Sequence, residues 1–274
     1  MAEVFKAACI QNCATDDVQQ NIEICARLVT EAATAGATLI TTPEYFSGLT
    51  TENGRIIPVA FSEDDHPVLP AFAGLARDLG VEILLGSVGV KAADGRVFNR
   101  SYLLSTTGEV AARYEKIHMF DVNLGESQNI QESATIAPGD TAVVASASGT
   151  KMGLSVCYDL RFAGLYRALA HAGAEILAVP AAFMKVTGQA HWHVLNRARA
   201  IECGAFVIAP CQFGTLVGGA QCFGHSLIVD PWGEVLADGG EGEGFVMAEI
   251  DLAKVAHARQ RVPALTHDRV FTLP

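Results

Sequence analysis

The chain has 274 residues, half of them hydrophobic and 18% charged, with a formal net charge of −11. That length fits one large domain or two small ones. The acidic balance, without a basic run or a repeated aromatic platform, argues against nonspecific binding to nucleic acid or anionic membrane, whose surfaces repel acidic proteins.

Val4–Ile10 reads as a first strand. Asp16 or Asp17 can cap a following helix, whose Val18, Ile22, Cys25, Val29 and Ala32 form one apolar stripe, with Gly36 as its stop. A short strand around Leu39-Ile40 runs into Pro43-Glu44. Leu69–Leu79 is a second helix, stopped by Gly80. Strand-like runs Val81–Val90, Val97–Ser105 and Val110–Tyr114 follow, with turns at Asp94-Gly95 and Thr107-Gly108. Ile117–Asp140 shows little periodicity, and loops of that length in compact domains are usually functional or disordered. Met152–Val156 is a buried strand ending on Cys157, and a helix follows near Phe162–Ala172. Then come strand Glu175–Val179, a helix about Gln189–Cys203, and strands Ala205–Ala209, His225–Val229 and Gly244–Ile250. The turn Asp230-Pro231-Trp232-Gly233 separates the last two strands, and a helix at Leu252–Arg261 ends the pattern. No linker or short repeat divides the chain, so one α/β domain with two helix-covered sheets is expected, with residues 262–274 as a tail.

Three reactive side chains sit where an apolar strand gives out: Glu44, Lys116 and Cys157. Singly they also fit bland roles, a core thiol and two surface charges. Together they suit one rim, where an acid takes the thiol proton and an ammonium stabilises developing negative charge. A cysteine between a strand end and a helix, with Lys116 close, is also expected to be held as the thiolate.

Pro43-Glu44, Tyr114-Glu115-Lys116-Ile117-His118 and Gly153–Phe162, in this order and at these separations, resemble the nitrilase superfamily of carbon–nitrogen hydrolases. Gln131-Glu132-Ser133, Thr187–Trp192, Arg197–Glu202 and Gly224-His225-Ser226 extend the resemblance over nearly the whole chain. It implies an α/β fold, a four-layer α-β-β-α sandwich in a single domain spanning residues 1–274. It also implies a thiol-dependent amidase that cleaves a linear carbon–nitrogen bond through a cysteine thioester, releasing ammonia and a carboxylic acid. Cys157 is then the nucleophile and Glu44 the base. Lys116 and the Tyr158 N–H bind the oxyanion, and Glu132 is a further carboxylate near the three. Within the superfamily the chain is most similar to amidases of deaminated glutathione, with ω-amidases of α-keto acid amides as neighbours. Tyr45, Phe183, Lys185 and Thr187 are the candidate substrate-binding residues. No cofactor and no metal are implied, and a homodimer or a multiple of it is expected.

Other residues are read as structural. Asp159 and Arg161 are expected to fix the turn after Cys157 by pairing, and His118 to make one positioning hydrogen bond. His191 and Trp192 are expected near the pocket wall, and Arg197, Arg199 and Glu202 in ion pairs. His191 and His193 diverge on a helix, which argues against a shared metal. Gly218-Gly219 and Gly239-Gly240 read as turns, not a phosphate loop.

Seven cysteines at positions 9, 13, 25, 157, 203, 211 and 222 match neither a zinc pattern nor a disulfide scaffold. They suggest a reducing, cytoplasmic setting. Met1-Ala2-Glu3-Val4 lacks a secretory pattern, and no apolar run is long enough to span a membrane. Two other classes compete with the amidase. A papain-like Cys–His hydrolase lacks its local cysteine signature here. A silent scaffold of the same fold is disfavoured by three intact reactive positions.

Overall fold

The computed structural model describes residues 4–52, 55–123 and 129–272. Strand Val4–Gln11 shows how the layers arise. Ala7 and Cys9 enter one core, while Ala8 and Ile10 enter another. Leu39 and Ile40 divide the same way, as do Leu84 and its neighbours Ile83 and Leu85. Side chains alternate across a strand, so a sheet apolar at every position must be covered on both faces.

That sheet has eight strands. Its main path runs Ile136–Ala137, Val97–Leu104, Glu82–Lys91, Leu39–Thr41, Val4–Gln11, Gly244–Asp251. Val110–Glu115 pairs with Val97–Leu104, and Ala60–Phe61 with Glu82–Lys91. Helices α1 (Val18–Thr34) and α2 (Val68–Leu79) cover its outer face through Ile22, Cys25, Val29, Ala32, Phe72 and Ala76. The inner face packs on a six-stranded sheet ordered Val144–Ala147, Thr150–Leu154, Ile176–Ala178, Phe206–Ala209, Leu227–Val229, Val235–Asp238. Helices α3 (Ala163–His171) and α4 (Lys185–Cys203) bring Tyr166, Leu169, Trp192 and Ala200 to the same core. Helix α5 (Ala253–Arg261) adds Val255. The expected α-β-β-α sandwich is the observed one.

Asp17 is the cap of α1, accepting from the Gln20 amide at 3.0 Å. Gly36 stops that helix as expected: with φ at 98° it follows the last helical turn, and the Gly36 and Ala37 N–H groups donate back to the Ala33 and Ala32 carbonyls. Other boundaries differ from expectation. The strand before Cys157 ends at Leu154, and a 3-10 turn, Cys157–Arg161, comes before α3. The long aperiodic stretch is largely built. Asp121–Asn123 pairs with Asn129–Gln131, a 3-10 turn spans Glu132–Ala134, and Ile136–Ala137 closes the edge of the first sheet. Hairpins Leu49–Glu52/Arg55–Pro58 and Phe213–Thr215/Gln221–Phe223, with strands Val144–Ala147 and Val235–Asp238, were not expected. In the tail, Asp268 is clasped by Arg167 and by His171 of α3. Val270 and Phe271 lie exposed, and Leu273 falls outside the described residues.

Candidate active site

Glu44, Lys116 and Cys157 each follow the end of a strand, Leu39–Thr41, Val110–Glu115 and Thr150–Leu154. The two packed sheets bring these ends to one rim. The turn carrying Glu44 lies hard against Gly86, where a Cβ would stand 1.7 Å from the Thr42 carbonyl oxygen. Only glycine permits that approach. Ser87 then accepts the Tyr45 N–H at 2.9 Å, and Gln212 Nε2 donates to the Glu44 carbonyl at 2.7 Å.

Tyr45 and Cys157 have φ angles of 50° and 49°. Such a backbone is uncommon for a residue with a side chain and persists only where its surroundings hold it. The Cys157 N–H donates to the Pro180 carbonyl at 2.8 Å. Asp159, two residues on, accepts the Val156 N–H at 2.9 Å and the Tyr114 hydroxyl at 2.6 Å through Oδ2. Its Oδ1 accepts the His118 N–H at 3.0 Å and contacts His118 Nδ1 at 2.7 Å. Asp159 thus ties the turn after Cys157 to the strand end that carries Lys116. It fixes the turn as expected, but not through Arg161, whose guanidinium lies over the Tyr158 and Phe183 rings.

Lys116 Nζ lies 3.1 Å from Glu44 Oε1 and 2.8 Å from each oxygen of Glu132. Asn99 Nδ2 donates to the same Glu44 oxygen at 2.8 Å, and the Ala182 N–H to the other at 2.8 Å. The Cys157 sulfur lies within electrostatic reach of both Glu44 and Lys116. All four groups are buried. Glu44, Lys116 and Cys157 open on a cavity of about 240 Å³, whose walls include Tyr45, Tyr158, Phe183 and Thr187. The Tyr45 hydroxyl is buried there without a hydrogen-bond partner among the described residues. Lys185 is not in the wall; its ammonium is paired with Glu241 at 2.9 Å.

The carbon-nitrogen hydrolase family model matches residues 6–260. The chain belongs to the carbon–nitrogen hydrolase family. It is 38% identical over 272 residues to a Synechocystis protein named deaminated glutathione amidase, covering 97% of this chain and 98% of that one. It is 32% identical to human omega-amidase NIT2, covering 97% of this chain and 95% of the relative. Among solved structures, the C. elegans NitFhit protein superposes with a TM-score of 0.88 at 29% identity, covering 98% of this chain and 66% of that longer one.

The electrostatics of this carbon–nitrogen hydrolase overturn one expectation. Burial, then the negative charge of Glu44, push the Cys157 thiol well above the usual cysteine value, and Lys116 only partly opposes them. Cys157 therefore rests as the thiol. Lys116 cannot hold a thiolate because two carboxylates already engage its charge. Burial opposes the ammonium too, but Glu132 and Glu44 outweigh it and hold Lys116 well above the ordinary lysine value. Burial raises Glu132 despite Lys116. The 3-10 turn also delays α3 to Ala163, so the residue of the sulfur opens a five-residue 3-10 turn rather than the α-helix.

The remaining expectations resolve individually. His118 bonds Asp159 and stacks on Phe162, with ring centroids 3.6 Å apart. Trp192 backs the wall, 4.9 Å from the Phe183 ring. His191 instead turns to Arg161, at 3.3 Å. Arg199 pairs with Glu202 at 2.8 Å and donates to the Leu160 carbonyl, whereas Arg197 bonds the Gly233 carbonyl. Asn99, Ser87 and Gln212 escaped notice in the sequence. The one available signal was Asn99 itself, a polar residue inside the apolar run Val97–Leu104.

Proposed function

We propose that this hydrolase is a thiol-dependent amidase of small carboxylate-bearing amides, with deaminated glutathione as its first substrate. The observation that supports the chemistry is the gathering of Cys157, Glu44 and Lys116 on one cavity wall, with Glu44 and Lys116 in direct contact. Glu44 takes the Cys157 proton as sulfur attacks the amide carbon. The Lys116 ammonium and the Tyr158 N–H stabilise the oxygen as it becomes negative. Glu44 returns the proton to the leaving nitrogen, ammonia departs, and a thioester remains. Glu44 then takes a proton from water, hydroxide attacks the thioester carbon, and the released thiolate recovers that proton. Glu132 keeps Lys116 charged and fixed.

A base that loads and unloads one proton suits a resting thiol. Sulfur then becomes anionic only as it attacks. Thiol acyl transfer of this kind calls on neither metal nor cofactor. The Tyr45 hydroxyl, without a protein partner, and Thr187 offer hydrogen bonds to the substrate's polar end, with Phe183 against its chain. Lys185 can assist only by releasing Glu241. The substrate reading rests on the nearly full-length match to a deaminated glutathione amidase; the match to an omega-amidase supports α-keto acid ω-amides as the second reading.

The test compares kcat/KM for deaminated glutathione, α-ketoglutaramate and a simple nitrile, in wild type and Cys157→Ala. The expected order puts deaminated glutathione first and leaves Cys157→Ala inactive. Preference for the nitrile would overturn the amidase, and turnover in Cys157→Ala would overturn the thiol mechanism. Preference for α-ketoglutaramate would move the chain to the ω-amidases.

The same reading includes a homodimer. Val194 and Ile201, seven residues apart on α4, are 64% and 54% exposed, and Trp232 in the adjoining turn is 54% exposed. A contiguous apolar patch of this kind marks an interaction surface. Sedimentation at micromolar concentration should give twice the mass of one chain, and Ile201→Lys should shift it toward the monomer. A wild-type monomer would contradict the proposal. A cytoplasmic setting is proposed from the seven free cysteines. Among the described residues, no helix is long and apolar enough to cross a membrane.

A further inference from the structure

A second cluster of ligating side chains stands outside the cavity. His193 on α4, His225 just before strand Leu227–Val229, and Asp238 at the end of Val235–Asp238 each bring one donor atom within 4.8 Å of the others. The Asp238 carboxylate spans the two rings, with Oδ2 2.9 Å from His193 Nε2 and Oδ1 2.8 Å from His225 Nδ1. We propose that His193, His225 and Asp238 form a site for a zinc-class divalent transition metal, separate from the amidase chemistry.

The donor set fits that chemistry. Two imidazoles with one carboxylate suit zinc, copper, nickel or iron, whereas magnesium and calcium demand oxygen ligands. Zinc binds such nitrogens and oxygens at about 2.0–2.2 Å, which puts tetrahedral donors roughly 3.4 Å apart. The two histidine–carboxylate contacts need open only by about half an ångström to admit the ion. All three side chains are partly exposed, so water can complete the coordination.

The site is also built rather than incidental. His225 has a φ of 53°, in the left-handed region. Its N–H donates to the Gly240 carbonyl at 2.7 Å, and its carbonyl accepts the Trp192 indole N–H at 2.7 Å. The Phe223 ring stacks on its imidazole at 4.5 Å and meets His193 edge-on at 6.0 Å. Asp238 Oδ1 accepts the Gly240 N–H at 2.9 Å. The ring and carboxylate orientations are therefore set by the surrounding fold. Glu241 lies within electrostatic reach of His225 and adds negative charge, and it already neutralises nearby Lys185. An ion here would fasten α4 to two strands of the second sheet. Sequence spacing hid this site, because the partner of His193 is His225, 32 positions on, rather than His191.

The rival reading is a metal-free hydrogen-bonded clamp. The test uses Cys157→Ala protein, which removes the active-site thiol as a competing ligand, titrated with zinc ions against a chromophoric chelator. One zinc per chain with micromolar affinity is expected. His193→Gln and Asp238→Asn in that background should each weaken it by at least about tenfold, as losing a metal-site contact does. Cobalt ions should give absorption bands of a nitrogen–oxygen site without a thiolate charge-transfer band. Undiminished affinity in both variants, a cobalt–thiolate band, or no uptake at 100-fold excess metal would overturn the proposal.

Discussion

Replacing Glu44 with glutamine is expected to lower kcat by about three to four orders of magnitude, near the upper range for loss of a general acid–base. The reason lies in the resting state. Cys157 is a thiol held well above its usual value, so no preformed thiolate waits to act without the base. In the proposed mechanism Glu44 also serves acylation, departure of ammonia and thioester hydrolysis, so every proton transfer should fail together. An activated aryl ester separates these roles, since its phenolate leaves without protonation. The variant should acylate slowly with that ester and then stall, giving a covalent adduct at Cys157 by mass spectrometry. Glutamine keeps the shape but puts an NH₂ where an oxygen accepted. It then faces Lys116 and Asn99 on one side or the Ala182 N–H on the other. That mismatch costs about 1–3 kcal/mol, or a few degrees in Tm for each kcal/mol in a chain of this size. The activity loss should be far larger than this destabilisation explains. Wild-type kcat with an amide substrate would remove Glu44 from the mechanism.

The legible residues were those whose chemistry and position coincide along the chain. Cys157 stands where the run Met152–Val156 gives out, and Lys116 and Glu44 stand at similar breaks. A reactive residue at a strand end is visible locally, and the packing of the two sheets collects these ends at one rim. What holds the three groups is not local. Asn99 reaches Glu44 across 55 positions, and Gln212 reaches it across 168. No periodicity reports a contact made by two buried amides. The ionisation of Cys157 was hidden for a similar reason. A lysine nearby in the fold suggests a thiolate until the two carboxylates that occupy its charge are seen. The first turn of α4 was lost to Gly188, a poor helix former. The structure requires it, because a Cβ there would stand 2.4 Å from the Phe223 ring. The hairpin Leu49–Glu52/Arg55–Pro58 has few apolar positions to alternate, and its Leu49 and Ile56 pack on a small core with Tyr45 and Leu216 rather than on the main sheets.

Lys116→Met should reduce kcat by at least about 10²–10³, the usual cost of losing one oxyanion donor, and should make stability depend on pH in a new way. Methionine keeps the unbranched shape and all but the last atom of the side chain, but removes the cation held between Glu44 and Glu132. Two buried carboxylates then face each other without compensation. Breaking one partner out of a buried ion cluster commonly costs about 3–5 kcal/mol. The protein escapes most of that by protonating one carboxyl, so the folded pair titrates above the ordinary glutamate range. Glu132 is already raised with Lys116 present and must rise further without it. The sign follows from proton counting. Between the ordinary glutamate value and the raised folded one, the native state holds a proton that the unfolded state has lost. Stability therefore rises as pH falls through the folded value and is lost as pH rises through it. Lys116→Met should melt several degrees higher at pH 5.5 than at pH 8, relative to wild type over the same interval. Glu132→Gln added to Lys116→Met should abolish that difference and recover stability, while leaving turnover low because no ammonium faces the oxyanion. Lys116→Arg should also remain slow, since a planar fork does not fit the space of a compact ammonium held by two carboxylates. A Lys116→Met protein with wild-type kcat and an unchanged melting profile from pH 5.5 to 8 would show that neither the oxyanion nor the carboxylate pair depends on this lysine.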